Sequence, residues 1–133
     1  MNANIVYVVI ELGVLTRLSK GAFCDCSGLT SVTIGTGIKS IGDAAFMYCS
    51  SLTNVIIPDS VTSIGASAFC GSGLTSVTIG NSVTRIGAGA FELCENLAEV
   101  KFCGTEAEWN AIEKGTDAFN GVSSEFHIVF MEQ

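Results

Sequence analysis

A chain of 133 residues with 48% apolar side chains and a mean hydropathy of +0.51 is long enough for one packed domain and too apolar to stay disordered. No apolar run approaches the roughly 18 residues of a membrane-spanning helix. The net charge of −7, with no basic stripe, argues against nucleic acid as a partner. Residues 91–133 carry nine acids against Lys101 and Lys114, while residues 1–90 balance four acids with four bases. The acidic end reads as a solvated, solubilising surface.

In chain order, the first apolar run is Ile5-Val6-Tyr7-Val8-Val9-Ile10. No basic residue precedes it, and Glu11 ends it too early for a signal peptide. Its Ile5, Val8 and Ile10 carry the spacing Leu-x-x-Val-x-Ile, which then recurs. Leu29, Leu52, Leu74 and Leu97 follow steps of 23, 22 and 23, and Val32, Val55, Val77 and Val100 keep the same steps. Ile34, Ile57, Ile79 and Phe102 stay in register with them. Phe23, Phe46, Phe69 and Phe91 each follow an Ala, and Ile41, Ile64 and Ile86 each precede a Gly. Leu15, Leu18 and Phe23 fit the same frame if one residue is inserted near Glu11–Val14. One residue is missing between Phe69 and Leu74, where Gly71-Ser72-Gly73 permits a tighter turn.

Each unit therefore predicts a short strand at Val-x-Ile, with period two, then a turn such as Pro58-Asp59-Ser60 or Gly80-Asn81-Ser82. A second, weaker strand or bend follows at Val61-x-x-Ile64, and Asp43–Phe46 is expected to make one helical turn. A unit of this size cannot bury its apolar side alone, so the units must stack on a shared core. Thr105-x-x-Glu108 fits a capping box, which predicts a helix near 106–113 stopped by Lys114-Gly115. Trp109 and Ile112 on one face would cover the end of the last repeat. A closing strand is expected near 126–130.

The run Ile-Gly-x-x-Ala-Phe-x-x-Cys-x-x-Leu-Thr-x-Val-x-Ile-Pro-x-Ser-Val-Thr-x-Ile-Gly, carried by residues 41–65, resembles the BspA-type leucine-rich repeat. The resemblance covers residues 5–103, and Gly104–Ile112 is similar to the segment that often follows the last repeat in such proteins. It implies a leucine-rich-repeat solenoid of about five stacked repeats of 22–23 residues, the first degenerate, with a parallel sheet on one side. Residues 104–133 would form its C-terminal cap, the whole chain being one domain. The family also implies a cell-surface or secreted location in bacteria or protists, and adhesion to host extracellular proteins.

The chemistry-bearing residues fall into the repeat. Cys26, Cys49 and Cys94 each stand three before the repeat Leu and three after the repeat Phe, and Cys70 is expected to slip into that column. The spacing predicts buried thiols rather than a disulfide or a metal set. His127 sits alone in a terminal strand, with no cysteine beside it to make a nucleophile pair. Gly35–Ser40 lacks the Gly-Lys-Ser adjacency of a phosphate loop, and no calcium-loop pattern occurs. No catalytic residue, metal or cofactor is expected.

The outward strand positions are Ser31, Thr33, Asn54, Ile56, Ser76, Thr78, Glu99 and Lys101, preceded by Tyr7 and Val9. They predict a flat, hydroxyl-rich ladder with one exposed isoleucine. Such a ladder suits a protein ligand, and equally the ordinary preference of Ser and Thr for solvent-facing strands. The leading expectation is a non-enzymatic interaction module without membrane insertion. The alternative is a structural spacer from a longer surface array. A small hydrolase is a third reading, opposed by the missing triad. The first repeat has no polar cap, which points to further repeats or self-association.

Overall fold

The computed structural model describes residues 7–10 and 16–131. Ile5, Leu15 and the insertion expected near Glu11–Val14 lie outside them. Short strands alternate along the chain: β1 (Tyr7–Ile10), β2 (Arg17–Leu18), β3 (Ser31–Ile34), β4 (Ser40–Ile41), β5 (Asn54–Ile57), β6 (Ser63–Ile64), β7 (Ser76–Ile79), β8 (Arg85–Ile86) and β9 (Glu99–Phe102). Helix α1 (Glu106–Ala111), β10 (Glu113–Lys114) and β11 (His127–Phe130) follow.

All pairings are parallel, and they follow the repeat frame. The four-residue strands make the first face, with β1 on β3 and β5-β7-β9-β11 as a second group. Strands β3 and β5 run side by side without closing a ladder. The two-residue strands make the second face in the order β2-β4-β6-β8-β10. On the first face Val55 lies opposite Val77, and Val77 opposite Val100, so each repeat residue meets its own equivalent. That coincidence is what makes a solenoid of near-identical units possible.

A third face closes the prism, and here the expected helical turn does not form. Residues 42–49 and their equivalents make successive turns, with positive φ at Gly21, Ala44, Ser67, Gly89 and Asp117, and again at Asp25, Tyr48, Gly71, Leu93 and Gly121. Alternate amides close tight turns, as Ala45 N–H does on Gly42 O. The others donate to the next repeat: Ala44, Phe46 and Tyr48 to the carbonyls of Ala66, Ala68 and Cys70, at 2.7–2.9 Å. A left-handed Tyr or Leu is disfavoured locally. The cross-repeat bonds, repeated at every junction, hold those residues there.

The core is a set of columns. Phe23, Phe46, Phe69, Phe91 and Phe119 stack with centroids 5.1–5.4 Å apart and planes within 14°. The Leu, Val and Ile columns beside them are buried from Leu29 to Phe102. Gly65 sits where the second face meets the third, and a Cβ there would lie 2.5 Å from the Asp43 nitrogen, so only glycine lets the backbones approach.

The C-terminal segment continues the solenoid as well as carrying the helix. Helix α1 ends at Ala111, short of the expected 113, because Glu113–Lys114 is claimed by β8 as strand β10. Lys114-Gly115 is therefore part of the repeat frame rather than a helix stop. Gly115, Ala118 and Phe119 then occupy the positions of Gly87, Ala90 and Phe91, and β11 pairs with β9. Thr105 caps α1: its Oγ1 accepts from Glu108 N–H at 3.1 Å, while Glu108 Oε1 accepts from Thr105 N–H at 2.8 Å. Trp109 is buried between Phe102 and Phe119, at 5.3 and 6.0 Å, rather than lying over an open end.

Candidate interaction surface

The period-two pattern aims alternate side chains of the first face outward. Ser31, Thr33, Asn54 and Ile56 are exposed, and Ser76, Thr78, Glu99 and Lys101 are half-buried by their neighbours. The register brings these residues together in rows: Asn54, Ser76 and Glu99 in one, Ile56, Thr78 and Lys101 in the other. Ile56 is 65% exposed, the most exposed large apolar side chain among the described residues.

Strand β11 extends both rows with residues that the sequence reading did not include. His127 lies opposite Glu99, and Val129 opposite Lys101. His127 Nε2 stands 3.5 Å from one Glu99 carboxylate oxygen, and Lys101 Nζ 3.8 Å from the other. Continuing the Val100–Phe102 spacing to Ile128–Phe130 was the signal that would have found them. The ladder thus runs from small hydroxyls through one isoleucine to the cluster of Glu99, Lys101 and His127.

The second face carries a shallow groove of about 730 Å³, floored by Gly42, Gly65 and Gly87 and edged by Arg17, Lys20 and Arg85. Asp43 is not a free counter-charge there, since its Oδ1 accepts the Ala66 amide at 2.8 Å.

The cysteines do no visible chemistry. All six are free thiols. Cys49 Sγ donates to Phe23 O and Cys94 Sγ to Phe69 O, at 3.1 and 3.0 Å. Ser72, not Cys70, fills the third place in the column, its Oγ 3.3 Å from Cys94 Sγ, because the deleted residue lies after it. Burial pushes the Cys49 thiol up to about 12. An acid held protonated in the fold but free to ionise once unfolded favours unfolding at high pH. Stability should therefore fall as pH rises from about 9, where an unfolded thiol ionises, towards 12. Under native conditions at pH 8, Cys49 should resist alkylation, whereas the unfolded, unreduced chain should titrate five or six thiols. A count of two or fewer would establish a disulfide framework.

Among the described residues no three His, Cys, Asp or Glu side chains converge on a metal position, and no helix is long and apolar enough to cross a membrane. The family model of the BspA-type leucine-rich repeat region matches residues 16–132 in six copies. The chain belongs to the BspA-type leucine-rich repeat family. The match extends through the segment that follows the helix. No curated protein shows significant similarity to this chain.

Solved leucine-rich repeat proteins share the fold. A leucine-rich cell surface protein of Faecalibacterium prausnitzii aligns at a TM-score of 0.71 with 25% identity, over 79% of this chain and 34% of that one. A leucine-rich repeat protein of Bacteroides ovatus gives 0.64 with 34% identity, over 70% and 24%. The T. pallidum leucine-rich repeat protein gives 0.69 with 25% identity, over 94% and 59%. This BspA-type chain thus spans from a quarter to three fifths of the length of these proteins.

Proposed function

We propose that the chain is a non-enzymatic adhesion module, and that the first-face ladder contacts a protein ligand at a cell surface. The exposed Ile56 carries this reading. It is the large apolar side chain at the centre of a hydroxyl-rich patch, and interface energy concentrates in a few such bulky anchors. The surface location is supported by the name of the Faecalibacterium protein.

Ile56→Asp tests the reading against a panel of immobilised host extracellular matrix proteins. Binding should weaken at least tenfold, about 1.4 kcal/mol. The thermal midpoint should barely move, because the side chain faces solvent. Unchanged binding by a folded variant would move the site off this ladder. The spacer reading would then lead, favoured by the greater length of the similar proteins.

A further inference from the structure

The two ends of this solenoid are chemically complementary, and the third face shows it most directly. Past the glycine that opens it, which donates back as Gly42 does to Leu18 O, each turn segment donates three alternate amides to the carbonyls of the repeat that follows. The series runs 21, 23, 25; then 44, 46, 48; then 67, 69, 71; then 89, 91, 93. The next members are the amides of Asp117, Phe119 and Gly121, which have no acceptor among the described residues. At the opposite end the acceptor series 43, 45, 47 begins one step earlier, at the carbonyls of Lys20, Ala22 and Cys24. These have no donor among the described residues. One end therefore presents a row of donors and the other a matching row of acceptors.

The remaining columns end in the same complementary way. The ring column stops at Phe23 and Phe119, both only partly buried, whereas the three rings between them are fully buried. Strands β1 and β11 each have one edge with no strand partner among the described residues, and both belong to parallel ladders. On the second face the outward column reads Arg17, Ser40, Ser63, Arg85, Glu113, so a cation begins it and an anion ends it. The exposed Lys20 lies at the acceptor end and the exposed Asp117 at the donor end.

We infer that copies of this chain associate head to tail, the donor end of one seating on the acceptor end of the next in repeat register. Such a contact continues all of these columns: Phe23 follows Phe119, and Arg17 and Lys20 arrive beside Glu113 and Asp117. Adjacent strands lie about 4.7–4.9 Å apart, which brings those opposite charges within pairing reach. A two-fold contact between like ends would set donors against donors and Glu113 against Glu113. The association is therefore heterologous and open-ended rather than a closed dimer.

Sedimentation of the full chain over a range of concentrations tests this. The weight-average mass should rise past that of a dimer without a plateau, and salt should weaken the association by screening the end charges. Arg17→Glu and Glu113→Arg should each weaken it about fivefold, each replacing an attraction by a repulsion. The double variant should restore it, because its ends are again opposite in charge. Both residues are exposed, and far-UV circular dichroism confirms that each variant is folded; Lys20→Glu replaces Arg17→Glu if that one is not. A monomer at millimolar concentration, a mass that plateaus at a dimer, or a double variant as weak as the single ones would overturn the inference.

Discussion

Phe69→Ala should destabilise the chain by about 3–5 kcal/mol, the range for removing a fully buried aromatic ring. Phe69 is 0% exposed and lies between Phe46 at 5.2 Å and Phe91 at 5.3 Å, nearly parallel to both. Alanine would leave a gap that neither ring can close, since each is fixed by its own repeat. Dispersion contact is lost on two faces at once. A domain stable by only about 5–15 kcal/mol would lose a large share of its margin. Phe23→Ala is the control: that ring is partly exposed and stacks on Phe46 alone, so the effect should be clearly smaller. Trp109, the single tryptophan, reports the denaturant melts by fluorescence. Equal, near-zero shifts for both variants would remove the ring column from its structural role.

Trp109→Ala should cost about 3–5 kcal/mol as well, for a different reason. The indole fills the space between the fifth and sixth repeats, edge-on to Phe102 at 5.3 Å. It also supports Lys114, whose ammonium lies 4.6 Å above the ring and donates to the Trp109 and Ile112 carbonyls at 2.7 and 3.2 Å. Burial lowers the Lys114 pKa, and the ring face is part of what compensates the partly desolvated charge. Removing the ring opens a cavity and leaves that ammonium less well solvated by the protein. Circular dichroism is the appropriate probe, because the fluorophore goes with the mutation. A folded variant with an unchanged midpoint would show that the helix decorates the sixth repeat without joining it to the rest.

The columns were legible in the sequence because a solenoid places equivalent residues against each other, so spacing and contact are the same information. Phe23, Phe46, Phe69 and Phe91 needed no further evidence. Where the period broke, legibility failed. Phe119 follows Phe91 by 28 residues because α1 is inserted in that turn. Lys114 stands where Ile41, Ile64 and Ile86 stand, tolerated only because helix carbonyls and an indole receive its ammonium. Exposed Glu125 takes the place of Leu97, with Phe126 packing 5.3 Å from Phe119 instead. With the sixth repeat hidden, His127 and Val129 were hidden from the ladder too. The turns were misread because Ala44, Tyr48 and Leu93 have no local preference for positive φ. Their conformation is imposed by bonds to the next repeat, which no single segment displays.

The forward-donating amides of the third face also give the stack a polarity. Twelve aligned hydrogen bonds in four successive junctions add their dipoles as the bonds of a helix do, and polarise one another along the stack. The face is a macrodipole built from turns, with its positive pole at the C-terminal end and its negative pole at the N-terminal end. This is the reverse of an α-helix, whose positive pole is at its N-terminus. Acids are favoured beside a positive pole, and the final repeat holds Glu113, Asp117 and Glu125 against Lys114, while the first holds Arg17 and Lys20 against Asp25. The poles remain fractional charges at the two ends however many repeats are stacked between them, so a longer array of the same units would need only the same few charges at its first and last turns.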